Sequence, residues 1–174
     1  TAFLGFLTAA AYLLLYTPLK KISPWNTLVG AVPGAMPCLM GVAAAGTAID
    51  HRALILFLIL FVWQMPHFFA IAWVYKDDYK RAGLKMLPLF DTEGQRTAWH
   101  IAAWSLALFG LSLMPAFMGI AGLTYLFVAI FFGFLWIGFV VYLAMGCFFE
   151  MKKFAVFSIV YLFVLNLCMI LDKV

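Results

Sequence analysis

The residues with most chemical potential form one run, Lys76-Asp77-Asp78-Tyr79-Lys80-Arg81-Ala82-Gly83-Leu84-Lys85-Met86-Leu87-Pro88. Paired carboxylates such as Asp77 and Asp78 suit a hard cation, Mg²⁺ in particular, which takes oxygen ligands and binds largely through a substrate's phosphates. Lys80 and Arg81 beside them suit the same phosphates. The alternative is a solvated loop whose charges only set topology. A second cluster, Val62-Trp63-Gln64-Met65-Pro66-His67-Phe68, lies just upstream inside an apolar run. Gln64 and His67 are i, i+3 neighbours on one helix face. Pro66 frees the carbonyl of Val62 and predicts a kink. Polar groups at such depth usually face a cavity; a hydrogen-bonded core histidine is the other reading of His67. If the helix ran on, Asp78 would lie about three turns beyond His67, on nearly the same stripe. A third cluster, Tyr16-Thr17-Pro18-Leu19-Lys20-Lys21 with Asn26, offers two adjacent cations that either bind an anion or anchor the chain.

What must position these groups is a membrane-spanning scaffold. Of 174 residues, 67% are hydrophobic and only 10% charged, against about 25% charged in soluble domains. A crossing takes roughly 20 apolar residues. Six uncharged stretches qualify: about 1–17, 28–48, 53–75, 98–118, 122–148 and 154–171. No stretch alternates like a barrel strand, so the expected fold is all-α, a polytopic transmembrane helical bundle. The net charge of +4 comes from short polar breaks without a basic face, which excludes a nucleic-acid footprint.

The eleven Lys and Arg divide nine to two between the two sides: Lys20, Lys21, Lys76, Lys80, Arg81, Lys85, Arg96, Lys152 and Lys153 against Arg52 and Lys173. The positive-inside bias assigns the first side, and the loop 76–97, to the cytoplasm. The second span is dense in small residues from Gly30 to Gly46, which lets helices approach closely. Pro33 and Pro37 interrupt its hydrogen-bond ladder, so this span is expected to line an internal cavity. Cys38, Cys147 and Cys168 match no metal or disulfide spacing and read as packing residues. His100, between Trp99 and Trp104, reads as an interfacial anchor. Asp50-His51-Arg52 carries no evident chemistry. The chain opens at Thr1 with neither an initiator Met nor a basic leader, and the expectation is a single bundle, 1–174, entered partway through a longer protein.

Four motifs in order, Tyr16-Thr17-x-Leu19-Lys20-Lys21 with Asn26, Gly34-Ala35-x-Pro37 with Gly41, Trp63-Gln64-x-Pro66-His67-Phe68, and Asp78-Tyr79 with Ala82-Gly83-x-x-Met86-Leu87-Pro88, resemble the UbiA-type intramembrane prenyltransferases, and within them the protoheme IX farnesyltransferases (haem O synthases). The resemblance covers Tyr16–Pro88 by motif and the remainder by hydropathy. It implies a nine-helix bundle of which this chain holds the last six helices, with a cavity open toward the cytoplasm. It further implies a bacterial inner membrane, farnesyl diphosphate and haem B as substrates, Mg²⁺ as cofactor, and terminal-oxidase assembly proteins as partners. The family's first acidic motif, Asn-x-x-x-Asp-x-x-x-Asp, has no counterpart here.

On that resemblance, Asp77 and Asp78 would hold the metal or its waters, and Lys20, Lys21, Lys80 and Arg81 the diphosphate. Asn26, Gln64 and Tyr79 would join the substrate-binding set. His67 would orient haem or handle the capturing water. The superfamily's second acidic motif often reads Asp-x-x-x-Asp, but Arg81 follows Asp77 and Ala82 follows Asp78 at that spacing. Pro37-Cys38 replaces the usual Pro-Pro, and Lys85 stands where a Pro is usual. Two alternatives remain: a prenyltransferase acting on a quinone-precursor ring, and a non-enzymatic haem-binding assembly or transport subunit. A pure haem carrier needs no Mg²⁺–diphosphate site.

Overall fold

The computed structural model describes residues 1–174. The first apolar run forms one continuous rod: α1 (Ala2–Ala10) passes through a π-helical turn (Ala11–Tyr16) into α2 (Thr17–Ile22). Lys20 and Lys21 therefore occupy the last helical turn rather than a loop, where cations complement the helix dipole. There follow α3 (Asn26–Ala44), α4 (His51–Val74), a short α5 (Lys76–Arg81), a 3₁₀ turn (Leu87–Phe90), α6 (Gln95–Phe117), α7 (Leu123–Ala144) and α8 (Met151–Leu171). Six of these helical stretches are long and apolar enough to cross a membrane, and the only β feature is an isolated bridge between Ala121 and Lys173. The chain is an all-α integral membrane protein.

Two local expectations change. α3 and α4 remain helical through Pro33, Pro37 and Pro66; each proline removes one donor, and neighbouring helices cover the turns at Pro33 and Pro66, while Pro37 is exposed. The long basic loop is also structured. α4 stops at Tyr75 (φ −105°, ψ 24°) before α5 starts, so Asp78 is not on a continuation of the α4 stripe. Asp50 caps α4, accepting from the amides of Arg52 and Ala53, both at 3.0 Å.

α4 sits at the centre, packed against α3, α6 and α8, while α6–α7 and α7–α8 contacts close a four-helix group. α1 lies outside this group, on α3. The core of the group is aromatic, with Trp136 against Phe154 and Tyr161 at ring-centroid distances of 5.0 and 4.7 Å. Some of its polar groups are paired in place: Tyr125 donates to the Ser112 carbonyl at 2.7 Å, and the Ser112 and Tyr161 hydroxyls lie 2.9 Å apart, whereas the Trp136 indole N–H and the Ser105 hydroxyl are buried without a protein partner. Phe127, Phe131 and Phe134 point outward, as a hydrocarbon surrounding requires. The same centring on α4 presents its Gln64–Tyr75 face between α3 and α8.

Candidate active site

The first polar break and the loop after α4 are joined through backbone atoms. The Lys85 amide donates to the Lys20 carbonyl at 2.7 Å. The Asn26 side-chain amide donates to the Ser23 and Lys85 carbonyls, both at 2.7 Å. Asn26 is fully buried, and its Oδ1 has no protein partner. These bonds place the end of α2 beside the loop carrying the Asp77-Asp78 pair. The Lys20 ammonium lies 4.1 Å from the Tyr16 ring centroid and 5.5 Å from that of Tyr12, a pair of cation–π contacts that hold a basic side chain over aromatic faces. Burial raises the Tyr79 phenol above its ordinary value, and the neighbouring Tyr16 and Tyr75 add to the effect. Tyr79 is thus a neutral hydrogen-bonding group at neutral pH.

Tyr12 and Tyr16 line a cavity of about 620 Å³ between α1, α3 and α4, together with Gly5, Thr8, Gly30, Pro33, Gly34, Met40, Gln64 and Phe68. The second span therefore lines a cavity, though one open to the surroundings along α1 and not an enclosed interior. Two glycines make the room: any side chain at Gly30 would collide with the Tyr16 ring, and one at Gly34 with the Gln64 amide. Gln64 is buried and donates to the carbonyls of Ala31 and Leu60 at 3.2 and 3.1 Å.

Asp77, Asp78, Lys80 and Arg81 are exposed on α5, and Lys21 is exposed on α2. Asp78 is ion-paired with Arg81, whereas Asp77, Lys80 and Lys21 have no ion-pair partner. No group of three or more His, Cys, Asp or Glu side chains converges anywhere. The adjacent carboxylates nevertheless fit Mg²⁺, which binds through one or two carboxylates and takes its other ligands from phosphate and water.

His67 occupies the other edge of the same α4 face. Its Nδ1 lies 2.6 Å from the Ser158 hydroxyl on α8, and Trp63 stacks on its ring at 4.8 Å. Because the Ser158 hydroxyl donates to the Ala155 carbonyl, its oxygen is left to accept from Nδ1–H. The neutral imidazole then carries its lone pair on Nε2. His67 lines a groove of about 220 Å³ with Ile71, Tyr75, Lys152 and Ile159. The structure thus brings Lys20, Asn26, Gln64 and Tyr79 to the α1–α3–α4 side and places His67 on the α8 side.

Sequence reasoning missed Asp91. This buried carboxylate accepts from the Gly94 amide at 3.0 Å, the Thr97 amide at 2.7 Å and the Thr97 hydroxyl at 2.8 Å, fixing the loop to the start of α6. Its signal was available: an Asp three residues before a Gly that opens a helix. Gly94 has φ +83°, and a Cβ there would press on Trp73 and Phe148.

The fold is that of an all-α integral membrane protein, with a tyrosine-lined cavity between α1, α3 and α4 and the Lys20 ammonium over its Tyr12 and Tyr16 rings. The UbiA prenyltransferase family model matches residues 1–146, and the chain belongs to that family. Among relatives, the protoheme IX farnesyltransferase of Solibacter usitatus is 48% identical over 136 residues, covering 78% of this chain and 46% of the relative. That of Koribacter versatilis is 44% identical over 133 residues, covering 76% and 43%. That of Cytophaga hutchinsonii is 36% identical over 172 residues, covering 98% and 60%. The chain spans about half the length of the curated relatives it matches. No solved structure matches it.

Proposed function

We propose that the whole protein transfers a farnesyl group from farnesyl diphosphate to a vinyl group of haem B, giving haem O for terminal oxidases in a bacterial inner membrane. The relatives are named protoheme IX farnesyltransferases, and that name together with the four motifs supports the reading. The observation that carries the reading is the Lys20–Lys85–Asn26 junction, which seats a cationic, tyrosine-lined mouth on an apolar cavity.

In this reaction the allylic C–O bond of farnesyl diphosphate breaks and diphosphate departs. A C–C bond forms to the vinyl terminus, and water supplies a hydroxyl to the adjacent carbon while its proton goes to solvent. Bound Mg²⁺ would neutralise charge on the diphosphate, held by Asp77 and Asp78. Lys20, Lys21 and Lys80 add positive charge at the same end, and Arg81 joins them on leaving its pairing with Asp78. Tyr79 donates a hydrogen bond from its neutral phenol, and Asn26 holds the mouth together. The aromatic and aliphatic walls exclude water that would quench an allylic cation early. His67 orients haem from the α8 edge of the α4 face whose Gln64 and Phe68 line the prenyl cavity, its Nε2 offering a lone pair to iron.

The test is product analysis with membranes containing the full-length protein, haem B and farnesyl diphosphate. The expected product is heavier than haem B by one farnesyl group and one hydroxyl. Prenylation of a quinone-precursor ring instead would overturn the substrate assignment. Haem binding with no prenylated product under any Mg²⁺ concentration would favour the carrier reading.

A further inference from the structure

A second groove lies on the opposite side of α4 from the tyrosine-lined cavity. It encloses about 490 Å³ between the start of α3, α4 and α6, lined by Trp25, Thr27, Met65, Phe69, His100 and Trp104 among others. The proposed prenyl-transfer chemistry uses none of these side chains. Thr27 is only 5% exposed, and its hydroxyl has no hydrogen-bond partner in the protein.

The dimensions of the groove fit one leaflet. Its outer end is set by Trp25 and His100, and its inner end by Met65 and Trp104. Trp104 lies nine residues beyond Gln95, the first residue of α6, a depth of ~14 Å at the helical rise. Half of a roughly 30 Å hydrocarbon core is about the same. The outer end is also cationic: Arg96 stands four residues before His100, on the same face of α6, is exposed, and has no ion-pair partner. Tryptophan at this level is characteristic of headgroup contact.

We propose that this groove is a binding site for an anionic glycerophospholipid of the leaflet at the basic end of the bundle. One acyl chain fills the space between Phe69, Met65 and Trp104. The glycerol-ester region lies beside Trp25, and the phosphate lies against Arg96 and His100. Such a lipid would fasten α6 to α3, which otherwise meet through α4.

The full-length protein, reconstituted in phosphatidylcholine vesicles with increasing fractions of chain-brominated phosphatidylglycerol, tests this through quenching of tryptophan fluorescence. The component lost in Trp104→Phe should be quenched saturably by brominated phosphatidylglycerol. One basic side chain near an anionic lipid is worth about a fivefold preference, so brominated phosphatidylcholine should need at least that much more. The exposed pair Arg96→Gln with His100→Gln should erase the preference while leaving the fold intact. Ala103→Phe should remove the saturable component by filling the groove, with a thermal melt confirming the folded bundle. Equal quenching by the two lipids, or a preference that survives in the Arg96–His100 variant, would refute the site. Displacement of the brominated lipid by farnesyl diphosphate would also refute it, because the groove would then serve the prenyl substrate.

Discussion

At the scale of single residues, the two polar groups of the apolar α4 run have different surroundings. Gln64 is locked to α3 and α4 carbonyls beside the tyrosine-lined cavity, whereas His67 is held by Ser158 and Trp63 on the α8 side. Their shared face was legible from the i, i+3 spacing. Their separation was not, because partner helices decide which edge of a face each side chain meets. The proposed roles therefore predict separable defects. Asp78→Asn removes a charge at nearly constant volume and should lower turnover by about 10²–10³-fold, the size of a lost catalytic electrostatic contact. It should also shift the Mg²⁺ dependence and leave haem binding unchanged. His67→Ala should lower haem occupancy or alter the haem spectrum of the purified full-length protein. Ser158→Ala should give a milder form of the same spectral change, since it releases the Nδ1 tautomer while keeping the imidazole. A histidine with a purely structural role would show lost thermal stability in His67→Ala and an unaltered spectrum in the surviving protein.

At the scale of elements, the six spans were legible because apolar length is decided by composition. Their ends were less so. Lys20 and Lys21 extend the first helix as cations in its last turn, and α5 forms within what reads as a loop. The Lys85–Lys20 junction was invisible, since a backbone-to-backbone bond leaves no side-chain signal. Asn26 did stand out as a substrate contact, and its amide N–H bonds show that it also clamps the first break to the loop. Two helices yield tests. Gly34→Ala should push the Gln64 amide off the Ala31 and Leu60 carbonyls, and leaving it unpaired costs about 1–3 kcal/mol. Thermal unfolding should show that loss, and Gln64→Ala combined with Gly34→Ala should be less damaging than the sum of the single changes. The cap of α4 gives a pH test. The hydrogen bond from the Ala53 amide, joined by that from the Arg52 amide and by the charges of His51 and Arg52, holds the Asp50 carboxyl below its ordinary value against the opposing effect of desolvation. Its stabilisation is therefore complete above the unfolded carboxyl range, about pH 4, and fades as pH falls through the lowered folded value. Asp50→Asn, which keeps an oxygen acceptor, should flatten the melting-temperature decline on acidification below that range. An unchanged decline would show that the cap contributes nothing to it.

For the whole molecule, the basic residues and the proposed site lie at the same end. The basic residues at the end of α2, along α5 and at the start of α8 share the side on which the cavity mouth and the Asp77-Asp78 pair lie. Arg52 and Lys173 lie at the other end, each next to an acid that caps a helix: Asp50 on α4, and Asp172, which accepts from the Tyr125 amide at 2.7 Å. The nine-to-two division of Lys and Arg predicts that the loop 76–97 is cytoplasmic. The structure selects the reporter for this. Gly94 is unsuitable, being buried at φ +83° against Trp73 and Phe148, and a cysteine there would distort the loop it is meant to report. Thr92 and Glu93 are exposed beside it, and Thr47 is exposed in the turn at the opposite end. In full-length protein with Cys38, Cys147 and Cys168 replaced, Glu93→Cys should resist a membrane-impermeant thiol reagent in intact cells and react in inverted vesicles. Thr47→Cys should do the reverse. Labelling of Glu93→Cys in intact cells would overturn the orientation, and with it the supply of farnesyl diphosphate and Mg²⁺ from the cytoplasm to the proposed site.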